Sequence, residues 1–230
     1  SYEKDLISHL EVPFDEIMSV GSLKLGIFLS EHYDVQNNNK ICFVSQYISR
    51  FEKSEDKITR DILGRMQRVF GNLSDSVGGS NVTVAMRCDE QDIDYASEKD
   101  FYLKINRNAN LVSNKKIHFS SYKIAYSSPL IVAMDSTLAF EMYGIGKKVL
   151  FCDLAKDKEF SNRLGVEFLF NQLPIEVVLE TLSEIELKNK MNVLLTMSES
   201  EYRELTKESR DYFIKKSDNF PHEKISIYLK

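Results

Sequence analysis

Four short apolar runs, spaced by stretches of helical pattern, constrain the fold more than any other feature of this 230-residue chain. They are Ile41–Val44, Val82–Met86, Leu130–Met134 and Lys148–Cys152. None alternates polar with apolar residues, as a strand with one wet face would. A bare run of four or five residues, bounded by polar punctuation, suits a strand buried on both faces. Between them lie helical patterns. Ile58, Ile62, Met66 and Val69 recur at spacings of four, four and three over 57–69. A weaker pattern spans 93–105, a short one 122–126, and 135–146 reads as a helix stopped at Gly144 or Gly146. Strand–helix alternation of this kind predicts an α/β fold, a doubly wound (Rossmann-like) parallel sheet. A further short strand is expected at 116–119. The polar stretch 74–81, with Gly78-Gly79, is expected to be loop.

The tail is helical. Pro174 opens a predicted helix to about Leu187, helical character continues over 189–197, and Ser198-x-x-Glu201 is a capping box for a last helix to about Lys216. Residues 1–39 read differently, carrying Gly21 and Gly26 and ending in Gln36-Asn37-Asn38-Asn39. They are expected to be a linker or the remnant of another half, with residues 40–230 forming the sheet domain.

Composition narrows the function classes. Thirty Lys+Arg against 35 Asp+Glu give a net charge of −5, and the basic residues occur at most in pairs. Such a chain lacks the electrostatic footprint of a nucleic-acid binder. Cys42, Cys88 and Cys152 are odd in number and far apart, which argues against disulfides and zinc knuckles and for a reducing compartment. No apolar stretch reaches the ~18–20 residues of a membrane span, and the first thirty residues lack a signal-peptide plan. A soluble, cytoplasmic protein is expected. A first residue of Ser suggests a chain trimmed from a longer one.

In an open parallel sheet, ligands bind beyond the carboxyl ends of the strands, so the residues there are the candidates. Asp135, Ser136 and Thr137 stand where the third run gives way to a helix. Hydroxyls and free N–H groups at a helix start suit an anion. Glu141, four residues after Thr137, shares its face and can accept hydrogen bonds from two sugar hydroxyls. Simple helix capping explains the same residues. Ser45 and Gln46 follow the first run and can donate to a phosphate; an ordinary polar loop is the plainer account. Arg87, after the second run, would set a permanent charge at the same edge, or pair with Asp89 or Glu90 at the surface. His118 and Tyr122 can line that edge as well, although a structural histidine explains His118 equally.

Other motifs are missing. Asp89, Glu90, Asp92 and Asp94 lack the Gly and Glu of a calcium loop. Gly144-x-Gly146 follows a helix instead of opening one, and there is no P-loop, no G-x-S-x-G and no His pair at metal spacing. A phosphoacceptor receiver domain would need acids after the first strand, where Ser45-Gln46 stands.

The stretch from Lys116 to Phe151, KIHFSSYKIAYSSPLIVAMDSTLAFEMYGIGKKVLF, resembles the donor-binding region of GT-B glycosyltransferases, most of all those building bacterial surface polysaccharide and lipopolysaccharide. The shared pattern is a short helix at Ser121-Tyr122, the strand Leu130–Met134, the Asp135-Ser136-Thr137 turn, a helix with Glu141, and Gly146-Lys147-Lys148-Val149. The usual Pro is Lys148 here, and Asp135-Ser136 replaces a Gly-rich turn. The resemblance extends more loosely over 40–216, and VGSLKL around Gly21 is similar to the segment joining two GT-B halves.

It implies a nucleotide sugar as substrate, with no separate cofactor. Ser136 and Thr137 would contact phosphates and Glu141 the ribose. Ser45 and Arg87 would steady the departing phosphate in place of a metal ion. It further implies a glycan or lipid-linked acceptor, an N-terminal half elsewhere in a longer chain, and work at the inner face of the cytoplasmic membrane. A non-catalytic nucleotide-binding or partner-docking module is the alternative.

Overall fold

A computed structural model describes residues 21–31, 35–49, 57–152, 171–214 and 220–228. Six parallel strands form one sheet: β1 (Ile41–Val44), β2 (Val82–Ala85), β3 (Asn110–Val112), β4 (Ile131–Ala133), β5 (Val149–Cys152) and β6 (Val178–Leu179). Their order is β3-β2-β1-β4-β5-β6. β1 lies centrally, Phe43 in register with Val84 of β2 on one side and Val132 of β4 on the other. All residues of β1, β2, β4 and β5 are buried. Helices therefore cover both faces, as the bare apolar runs require.

The helices are α1 (Leu23–Glu31), α2 (Lys57–Val77), α3 (Tyr95–Ile105), α4 (Ser120–Ser127), α5 (Thr137–Gly144), α6 (Glu184–Thr196), α7 (Glu199–Leu205), α8 (Lys207–Phe213) and α9 (Pro221–Tyr228). α2 buries Leu63, Met66, Val69, Phe70 and Leu73, so Met66 and Val69 of the expected stripe are in the core, Ile62 packs half-buried against it, and the side chain of Ile58 lies outside the described residues. The doubly wound α/β class and the helical tail are as expected from the sequence.

Local departures have physical causes. The polar stretch 74–81 is not all loop: α2 runs on to Val77 and stops at Gly78, whose φ of 79° favours glycine. The strand expected at 116–119 is instead a 3₁₀ turn, Lys116–His118, with Ile117 89% exposed. The strand in that part of the chain is β3, an edge strand needing no apolar run. Its Asn110 side chain donates to Thr83 Oγ1 at 3.2 Å. The helix expected from Pro174 is a 3₁₀ turn, Ile175–Val177, leading into β6. Val177, Val178 and Leu179 are buried there, with Val178 and Leu179 paired to β5, and α6 starts only after the Ser183 cap. The Ser198/Glu201 capping box is present, but its helix breaks at Thr206 into α7 and α8.

Residues 23–31 fall in the stretch expected to be a remnant of another half. They contribute Leu25 and Phe28 to the same core as the sheet. Phe28 is fully buried, its ring centroid 5.9, 5.3 and 5.7 Å from those of Phe119, Tyr122 and Tyr126. α9 closes over α1 so tightly that a Cβ on Gly26 would sit 2.6 Å from Pro221 Cδ.

Candidate functional site: the crevice between β1 and β4

The chain leaves β1 toward β2 on one side and β4 toward β5 on the other, so the strand order reverses between β1 and β4. In doubly wound sheets the loops after such a pair of strands diverge and leave a crevice at the carboxyl ends, the usual ligand position. Ser45-Gln46-Tyr47 follows β1 and Met134-Asp135-Ser136 follows β4. The side-chain amide of Gln46 donates to Asp135 Oδ1 and bridges the two. Gln46 Oε1 is buried without a hydrogen-bond partner among the described residues. Two residues predicted from different loops thus meet at the switch point.

Ser136 is the N-cap of α5, with φ −72° and ψ 130°, yet its hydroxyl makes no capping bond. The first intrahelical bond is Phe140 N–H to Ser136 O at 3.1 Å. Among the described residues no side chain accepts from the N–H groups of Thr137, Leu138 or Ala139. Ser136 thus holds the N-cap position without a side-chain bond to the helix, and the first turn of α5 carries partial positive charge at the carboxyl end of β4. From the β2 side, the exposed Arg87 reaches toward the same loop, Nη1 donating to Tyr47 O at 3.3 Å. It forms no ion pair with Asp89 or Glu90.

Ser45 is turned inward. Its hydroxyl donates to Glu98 Oε1 and accepts from Tyr102 OH at 2.8 Å. Glu98, on α3, is fully buried and also accepts from the N–H groups of Arg87 at 2.8 Å and Cys88 at 2.9 Å. One carboxylate thereby ties the loop after β1 to the loop after β2. Glu98 was not a sequence candidate. Its only signal is Tyr102 one helical turn on, sharing its face.

Glu141 is 5% exposed, and both its oxygens have partners. Oε1 accepts from Ser22 Oγ, and Oε2 accepts from Tyr122 OH at 2.5 Å. Burial, with Glu141 beside it, pushes the Tyr122 phenol well above its ordinary range. The structure so joins two predicted residues, Tyr122 and Glu141, and adds Ser22, which had no sequence signal. His118 is exposed on the 3₁₀ turn, and no hydrogen bond among the described residues links its ring to the crevice. Among the described residues no group of three or more His, Cys, Asp or Glu could hold a metal ion. No helix among them is long and apolar enough to cross a membrane.

All three cysteines are buried, and no disulfide joins any two of them. Burial pushes the Cys42 thiol up to about 12, and burial together with the neighbouring Glu98 does the same for Cys88. The fold accepts only the protonated thiols. Their contribution is intact below the ordinary value of 9.0 and is lost as pH rises from there toward about 12. At pH 8 neither should react with a thiol reagent until the protein unfolds, and labelling against urea checks this.

The comparisons agree with this architecture. No curated protein matches the sequence. Among solved structures, the chain is similar to a "putative UDP-N-acetylglucosamine 2-epimerase from Listeria monocytogenes", with a TM-score of 0.52 and 15% identity. The match covers 99% of this chain and 56% of that one, so the chain spans little more than half the length of its structural neighbour. At that identity the likeness is one of fold, and the fold is GT-B-like. A family described as "putative O-antigen biosynthesis protein" matches residues 14–219. With most of its length inside that match, the chain belongs to this O-antigen biosynthesis family.

Proposed function

We propose that the crevice between β1 and β4 holds the diphosphate of a nucleotide sugar. On this reading the chain is the donor-binding portion of a glycosyltransferase acting on a surface glycan or its lipid-linked precursor. The open first turn of α5 carries the reading, because three N–H groups without a side-chain acceptor among the described residues, at a switch point, suit a diphosphate. Arg87 and the Gln46 side chain complete the polar rim. When the sugar leaves, negative charge grows on the nucleoside diphosphate, and fixed N–H dipoles and a guanidinium stabilise it. The acceptor site and a catalytic base would come from another half of a longer protein. Work at the inner face of the cytoplasmic membrane belongs to the same proposal. Membership of an O-antigen family supports a sugar-related role.

One observation favours a second reading, a non-catalytic docking module. Glu141 and Ser45, the expected ribose and phosphate contacts, already have partners inside the protein.

Thermal unfolding with CMP, CDP, UDP and GDP separates the two. A ligand at ~100 times its Kd adds about 2.7 kcal/mol, a rise of about 5–10 °C for a domain of this size. The donor-binding reading expects that rise with at least one diphosphate and less with its monophosphate. No shift with any of them would leave the docking module.

A further inference from the structure

A second cluster of polar groups lies at the opposite, amino end of the strands, where the turn Ile145–Lys148 leads from α5 into β5 and packs against α7 and α8. Arg210 of α8 is only 5% exposed. Its guanidinium donates to Thr206 Oγ1 at 2.9 Å and to Arg203 O at 2.8 Å, both neutral acceptors. It has no carboxylate partner among the described residues. Buried charges are ordinarily paired, because an unpaired one forfeits its hydration. The carbonyl end of α7 offsets part of this charge, but more positive charge gathers beside it.

Gly146 is the focus. It is buried with φ 88°, and a Cβ there would lie 3.3 Å from Arg210 Nη1 and 3.5 Å from Arg203 Nε. Two guanidinium groups thus meet over one glycine. Next in sequence, the half-buried Lys147 sets its ammonium 4.9 Å from the centre of the Tyr126 ring. Burial holds that ammonium below its ordinary value; Glu199 opposes the shift and Arg203 adds to it. Glu199 is the one carboxylate acting on Lys147 among the described residues. The adjacent Lys148 is already engaged with Met197 O and lies near Glu201.

We propose that Lys147, Arg203 and Arg210 form a phosphate-binding site, separate from the crevice. Planar guanidinium groups favour the paired oxygens of a phosphate, and Gly146, where even a Cβ would crowd Arg210 Nη1, lets the two forks approach each other with no carboxylate between them among the described residues. The phosphate can belong to a small molecule or to a lipid headgroup, and the test has an arm for each.

The first arm follows inorganic phosphate binding by calorimetry, with sodium chloride as control at matched ionic strength. Arg203→Gln changes an exposed side chain, so folding is preserved. Arg210→Lys keeps the charge and removes the fork. Each should weaken phosphate binding about tenfold or more. Lys188→Gln, at an exposed position of α6 that belongs to neither site, should leave it unchanged. The second arm is sedimentation with phosphatidylcholine vesicles, with and without phosphatidylglycerol. Binding only to the anionic vesicles, lost in Arg203→Gln, assigns a lipid headgroup. Phosphate binding without vesicle binding assigns a small ligand. Absence of both, or binding equal in wild type, Arg203→Gln and Arg210→Lys, overturns the site.

Discussion

Glu98→Ala should cost about 3–5 kcal/mol, the largest loss expected from any single substitution here. The carboxylate is fully buried and takes three hydrogen bonds, from Ser45 Oγ and from the N–H groups of Arg87 and Cys88. Alanine leaves these donors without an acceptor, at about 1–3 kcal/mol for each that stays dry. Domains of this kind have about 5–15 kcal/mol in total, so the variant should unfold at a far lower urea concentration. Glu98→Gln keeps one acceptor oxygen but turns an NH2 toward N–H donors, and should fall between. Equal urea midpoints for wild type and Glu98→Ala would mean that water replaces the carboxylate and that the two loops are not held by it. The same loops carry Gln46 and Arg87, so nucleotide affinity should fall along with stability.

Glu141→Ala carries the second-largest effect, about 2–4 kcal/mol, because Ser22 and Tyr122 each lose their acceptor. Glu141→Gln should lose much less, since an amide can accept from one hydroxyl and donate to the other. Ser22→Ala separates structure from ligand. If ribose hydroxyls take the place of the Ser22 hydroxyl on Glu141, removing it should tighten nucleotide binding while costing about 1 kcal/mol of stability. Affinity unchanged in Ser22→Ala and Glu141→Gln would mark Glu141 as a purely structural carboxylate.

The sheet was legible where the chain itself carries the signal. β1, β2, β4 and β5 are buried on both faces, so each is a bare apolar run. β3 and β6 were not, because edge strands of three and two residues are held by one neighbour and need no such run. Strand ends in a doubly wound sheet mark the usual ligand position, which is why Gln46, Arg87, Ser136 and Thr137 are candidates from the sequence, and the structure places them after β1, β2 and β4. Glu98 and Ser22 are not legible in this way. Their side-chain partners, Ser45 and Glu141, lie 53 and 119 residues away in sequence, and a buried acid on a helix looks like any surface acid until the helix is docked. The inward turn of Ser45 was hidden for the same reason.

The central claim is that the open first turn of α5 binds a diphosphate, and Thr137→Pro tests it most directly. Thr137 is the first helical residue, where proline is well tolerated, and the preceding Ser136 is already extended at φ −72° and ψ 130°. The substitution removes one unpaired N–H and leaves the helix intact. Calorimetric titration of the stabilising nucleoside diphosphate into wild type and variant should show at least about tenfold weaker binding to Thr137→Pro, with the unliganded melting temperature unchanged. Equal affinity in the two proteins would contradict the assignment.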